Sequence, residues 1–174
     1  MTPITVISST NRNNSFTFRV ADTYQQLLIA SGNDVRFFSL KDLPQDFIFS
    51  CFNGKSVPAF DQVVAEFIKP AEKIVFIIPE YNGGYPGILK AFIDCIKPVH
   101  FAGKKAALVG VADGHAGALR PIDHFTLILN HIKVNVYHDK PKLSNIEDYF
   151  PEAGVLADVY LERLKKQAEG FLKF

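Results

Sequence analysis

The chain has 174 residues, 48% of them hydrophobic, enough to fill one sizeable core and too few for two independent domains. Its 19 Lys+Arg and 18 Asp+Glu leave a formal net charge of +1, so no strong field draws it toward nucleic acid or an anionic lipid surface. No apolar run reaches the ~18 residues that span a bilayer, and the first residues lack the pattern of a secretory signal, so a cytoplasmic protein is expected.

Along the chain, strand and helix signals alternate. Residues 2–8 (TPITVIS) are rich in β-branched side chains and run into a polar loop, which reads as a strand. Ser15 can cap a helix over residues 16–31, where Val20, Tyr24, Leu27 and Leu28 recur at helical spacing and Gly32 marks the stop. Residues 34–38 (DVRFF) read as a second strand. Pro44, Gly54 and Pro58 interrupt any period over residues 41–58, predicting an irregular surface excursion.

A helical stripe follows at Phe60, Val63, Val64, Phe67 and Ile68. Residues 73–78 (KIVFII) are apolar on both faces, as a central strand must be. Pro86 suits a first helical position, Ile88, Leu89, Phe92, Ile93 and Ile96 continue the helix, and Pro98 ends it. Residues 106–112 (AALVGVA) predict a fourth strand, residues 119–130 a helix, residues 134–138 a fifth strand and residues 152–172 a closing helix. Five strands and five helices in alternation imply a single doubly wound α/β domain over residues 1–174, a parallel sheet with helices on both faces. Ligands of such sheets bind beyond the carboxyl ends of the strands where the winding reverses.

The loop after the first strand, residues 8–17, holds five hydroxyl residues and Arg12 but no glycine. A loop opening into a helix N-terminus presents free N–H groups and the positive end of the dipole, to which hydroxyls and a guanidinium add. Neither dinucleotide glycine spacing nor a P-loop is present, so a phosphomonoester fits better than a pyrophosphate or triphosphate. An ordinary polar loop with a serine cap would have the same composition. After the third strand, residues 79–87 pack three glycines, two tyrosines and Asn82 into nine positions. Such a turn admits a flat ligand against the main chain, or simply needs positive φ before a proline-started helix.

The segments ISSTNRNNSFT (residues 7–17) and PEYNGGYPGILKAFID (residues 79–94) resemble the NAD(P)H-dependent FMN reductase family of flavodoxin-like proteins, which includes quinone, azo-dye and chromate reductases. The resemblance implies a flavodoxin-like three-layer sandwich with a five-stranded sheet of order 2-1-3-4-5, bound FMN, NADPH or NADH as reductant, and a homodimer or homotetramer. Thr10, Arg12, Ser15, Phe16 and Thr17 match the family's phosphate segment, with Ser9 beside it and Phe16 acting through its N–H. Pro79, Glu80, Tyr81, Asn82 and Gly83 match the edge of the isoalloxazine ring, and Tyr85 with the helix after it the subunit contact. Ala112, Asp113 and Gly114 match the ring-side turn in part, since a small or hydroxyl residue usually stands where Asp113 does; Gly84 also replaces a common serine.

The implied activity is hydride transfer from nicotinamide to flavin N5 and then onward to a quinone, azo, flavin or similar small-molecule acceptor in ping-pong turnover. Flavin N5 would carry the chemistry, so no catalytic side chain is assigned. N–H groups of the Gly83 and Gly114 turns would stabilise charge on the reduced ring. Asp113 has two readings, a carboxylate lowering the flavin potential or, favoured, a cap on the following helix; His115 could lend a proton or be merely solvated.

No metal site is expected from the five histidines, which share no ligand spacing, and Cys51 and Cys95 read as small packed side chains rather than a disulfide framework. Lys90 and Asp94 suit a helix-face ion pair, while Tyr149, Phe150, Phe171 and Phe174 suit core or interface alike. An electron carrier of the flavodoxin type is the alternative function; near-neutral charge disfavours it, because such carriers dock to basic partners through acidic surfaces. A binding module that has lost the cofactor is a third.

Overall fold

β1 (Ile4–Ser8) lies between β2 (Val35–Ser39) and β3 (Lys73–Pro79), and β4 (Lys105–Val111) extends the sheet beyond β3, all in parallel register. This is a computed structural model, and it describes residues 2–150 and 154–174. The helices are α1 (Phe16–Ala30), α2 (Phe47–Phe52), α3 (Pro58–Val63), α4 (Gly87–Asp94), α5 (Leu119–His131) and α6 (Asp158–Lys173). With the edge strand β5 (Asn135–Val136), the order is β2-β1-β3-β4-β5, the expected flavodoxin-like winding.

Alternation along the central strands divides the core. Ile74, Phe76 and Ile78 of β3 and Ala106 and Leu108 of β4 point into a phenylalanine-rich layer under α3, α4 and α5. Val75, Ile77, Ala107 and Val109 point the other way, onto α1 and α6. A strand buried on both faces must be apolar at every position, which is why KIVFII reads as it does. Phe171 and Phe150 are buried in the second layer, Tyr149 packs on Tyr160 at 4.4 Å between ring centroids, and Phe174 lies 5.3 Å from Tyr137.

The structure departs from the sequence expectation in four places. Residues 134–138 do not form one strand: only β5 pairs there, and a sixth strand, β6 (Lys142–Leu143), pairs with the far end of β4. The chain leaves the edge between them, and Gln167 of α6 fills the gap, its Nε2 donating to the carbonyls of Leu108 (2.9 Å) and Asp139 (2.7 Å). Inside the expected irregular excursion, FIFSCF forms α2, since Phe47 is buried and stacks on Phe60 at 5.0 Å. Pro86 is the N-cap of α4 rather than its first residue. The closing helix starts at Asp158; residue 152, its expected start, lies outside the described residues.

Candidate functional site

The winding of the sheet reverses between β1 and β3, and the carboxyl ends of β1, β3 and β4 open on one side into a cavity of about 270 Å³. Arg12, Ser15, Phe16 and Thr17 form one wall, Pro79, Glu80 and Tyr81 the second, and Ala112 and Asp113 the third. Nine of the residues singled out from sequence thus meet in one place.

The first wall is the start of α1. Ser15 is its N-cap, in extended conformation, with Oγ accepting from Phe18 N–H at 3.2 Å. That satisfies one donor of the first turn and leaves the N–H groups of Phe16 and Thr17 without an acceptor among the described residues. Orphan donors at a helix N-terminus facing a cavity are an anion site. Arg12 supplies charge and forms no ion pair among the described residues. Ser9 and Thr10 do not line the cavity; both are buried below it. A second hollow of about 340 Å³ adjoins, sharing Arg12 and Ser15 and adding Arg19 and Lys41, so the neighbourhood is strongly cationic.

Thr10 ties the first wall to the second. Its Oγ1 accepts from Arg12 N–H at 3.2 Å and lies 2.6 Å from the Tyr81 hydroxyl, while the Arg12 guanidinium stands 3.9 Å from the centre of the Tyr81 ring. The second wall then turns back on itself. Tyr81 and Gly84 exchange backbone hydrogen bonds at 2.7 and 3.0 Å around Asn82 (φ 52) and Gly83 (φ 79). Two consecutive positive φ values define the two-residue turn that Asn-Gly favours. Asn82 and Gly83 are exposed at its tip, on the rim rather than in the wall. Glu80 is held at the β3 end by its N–H to Val111 O (3.1 Å), and its carboxylate faces Arg120 of α5 at 3.8 Å. Beyond the turn, Tyr85 packs between His124 and Phe125, and burial pushes its hydroxyl pKa up.

The third wall is set by close packing. A Cβ on Gly110 would stand 2.5 Å from the Gly117 carbonyl oxygen and 2.7 Å from Ile122 Cδ1, so glycine lets the loop lie flat on β4. Asp113 does not cap α5: the N-cap is Ala118, left-handed at φ 63, with no side-chain bond, and Asp113 is exposed five residues earlier. The favoured sequence reading of Asp113 is thereby overturned, and a rim carboxylate remains. Gly114 and His115 are exposed outside the cavity.

Four cavity residues escaped the sequence reading of the site: Asn13, Asn14, Val111 and Ile146. The two asparagines are ordinary members of a polar loop, although Asn14 adopts φ 51. Ile146 comes from beyond β6 and is brought in by its N–H to Ala112 O at 3.2 Å; a buried isoleucine in a polar stretch was the only signal. Lys90 and Asp94 pair at 2.7 Å, away from the cavity. Among the described residues no group of three or more His, Cys, Asp or Glu is placed to hold a metal, and no helix is long and apolar enough to cross a membrane.

An NAD(P)H-dependent FMN reductase of Pseudomonas aeruginosa is 33% identical over 107 residues, 59% of this chain and 57% of that protein, so the match spans little more than half of the relative's length. Among solved structures, the apo form of an NADH:FMN oxidoreductase superposes with a TM-score of 0.81 at 21% identity, covering 98% of this chain and 88% of that one. A flavoenzyme NAD(P)H:(acceptor) oxidoreductase from Paracoccus denitrificans gives 0.80 at 20% identity, covering 99% and 96%. Residues 2–147 match the model of the NADPH-dependent FMN reductases, and the chain belongs to that family.

Proposed function

We propose that the chain is a single-domain, FMN-dependent NAD(P)H oxidoreductase acting on a small-molecule acceptor. The observation that carries this reading is one cavity joining the free N–H groups at the start of α1 to the carboxyl ends of β3 and β4. The donor set suits a phosphomonoester: the free N–H groups of Phe16 and Thr17, the Thr17 hydroxyl and Arg12 converge on it, with Ser9 and Thr10 supporting from below. Pro79, Glu80, Tyr81, Ala112 and Asp113 would then border the ring, with the Asn82 amide and the N–H groups of Gly83 and Gly114 at its edge.

FMN held there would supply the redox chemistry, hydride transfer from NADPH or NADH and electron transfer to a quinone, azo, flavin or similar acceptor. The protein's part is to anchor the phosphate, fix the ring and tune its charge. Glu80 and Asp113 put negative charge on the ring side, and Arg12 puts positive charge on the phosphate side. Anaerobic stopped-flow mixing of the FMN-loaded protein with NADPH or NADH tests the reading: rapid bleaching of the flavin is expected, whereas no bleaching by either would favour the electron carrier.

A homodimer through α4 and α5 accompanies this reading. Ile93, Ile96, Ile128 and Ile132 line a groove of about 540 Å³ there, and Leu127 and Val99 are 68% and 72% exposed. Leu127→Asp should shift sedimentation to the monomer. The cytosol is the proposed compartment, in keeping with two free thiols.

A further inference from the structure

Cys51 and Cys95 lie far apart in sequence, on unrelated elements, and neither belongs to the cavity. The fold brings them together. Cys51 is in the last turn of α2, and Cys95 is the C-cap residue of α4. The Cys51 thiol donates to the Cys95 carbonyl oxygen at 3.6 Å, across 44 positions of sequence. Both side chains are half-buried rather than sealed in the core. Apart from these cysteines the chain has no others, so each thiol has one possible partner within the molecule.

We propose that Cys51 and Cys95 form a reversible redox site, a dithiol that closes to an intramolecular disulfide when the protein meets peroxide. The thiolate of Cys51 attacks one oxygen of hydrogen peroxide, breaking the O–O bond and giving a sulfenic acid and hydroxide, which takes up a proton as water. The Cys95 sulfur then displaces the sulfenic hydroxyl, forming the S–S bond. The Cys95 proton leaves with that hydroxyl as the second water. Two thiols are oxidised by two electrons and one peroxide is reduced to two waters.

The roles follow from the surroundings. Burial, then the neighbouring Cys51 thiol, pushes the Cys95 thiol up to about 12, which makes it the poorer first nucleophile, so Cys51 takes the attack and Cys95 the second step, in which its proton leaves with the displaced hydroxyl. Closure needs the sulfurs to come to bonding distance, about 2 Å apart. Helix α2 can supply that movement. It has six residues, no side-chain cap, and a single fully buried side chain, Phe47, while Phe49 and Phe52 point outward at 77% and 60% exposure. The bond would staple the excursion between β2 and α3 to the end of α4, the helix that begins just after the Tyr81–Gly84 turn.

The test uses the full chain with hydrogen peroxide as the only oxidant. Free thiols are alkylated before and after reduction, and peptides are mapped by mass spectrometry. Joint loss of both thiols, their joint recovery on reduction, and a cross-linked peptide joining Cys51 to Cys95 in a species of monomer mass under denaturing conditions are expected. Cys95→Ser should stop the reaction at a Cys51 sulfenic acid that dimedone traps, and Cys51→Ala should leave Cys95 alkylatable after the same exposure. Two thiols that persist, that oxidise independently to sulfinic acid, or that link separate chains would overturn the proposal. The wild-type peptide map decides the matter by itself if either variant does not fold.

Discussion

The two principal walls of the cleft face each other yet are built on opposite plans. The first, Arg12 to Thr17, contains no glycine and works through a helix end: a serine cap, unused N–H donors and one guanidinium. The second, Pro79 to Gly84, is a strand end closed by a tight Asn-Gly turn, and it offers exposed backbone, a tyrosine and the Glu80 carboxylate rather than a cation. A compact dianion needs directed donors and a cation, whereas a flat ring needs main chain it can approach closely. Arg12, Thr10 and Tyr81 join the two walls, so a ligand spanning both meets a preorganised surface.

If the walls have these separate tasks, substitutions should separate them too. Gly83→Pro should have the largest effect, because proline is locked near φ −65° where the turn requires φ 79; a strain on the order of 3 kcal/mol should loosen the ring end and lower FMN affinity by ~100-fold, read by flavin fluorescence titration. Unchanged affinity would remove the turn from the site. Arg12→Ala should cost about 2 kcal/mol in FMN binding while leaving the fold intact, since the guanidinium is exposed and makes no ion pair among the described residues. Equal losses of FMN and riboflavin affinity in this variant would mean that Arg12 acts on the ring through Tyr81 instead.

Ser15→Ala should lower unfolding stability by ~1 kcal/mol, the usual cost of a lost N-cap, and weaken FMN modestly. A denaturant melt that does not move would contradict the capping bond. Asp113→Asn should have the smallest effect. Removing a rim carboxylate eases negative charge onto the reduced ring and should raise the midpoint potential on the order of 20 mV. A fixed potential would place Asp113 too far from the ring to matter.

What could be read from the sequence depended on whether the cause was local. The strand at residues 73–78, the Ser15 cap and the Asn82-Gly83 turn follow from patterns of neighbouring residues, the sheet order from the family resemblance, and the structure reproduces them. The departures at the sheet edge and in α2 have distant causes. The edge breaks between β5 and β6 because Gln167, on another helix, satisfies the Leu108 carbonyl that a strand would have paired. Helix α2 exists because Phe47 finds Phe60. Asp113 resembles a cap in its own segment, but the backbone turns left-handed at Gly117 and Ala118 before α5 begins. Lys41 beside Arg12 and Ser15, and Cys51 against Cys95, are likewise products of the fold.

The central claim is that the N-terminus of α1 grips a phosphate and thereby positions the cofactor. Parallel calorimetric titrations of the cofactor-free protein with FMN and with riboflavin, which differ only in that group, test it most directly. Several charge-assisted hydrogen bonds of ~1.5–3 kcal/mol each should make FMN bind at least ~10³-fold more tightly, with the gap narrowing in Arg12→Ala. Equal affinity for the two flavins would contradict the account.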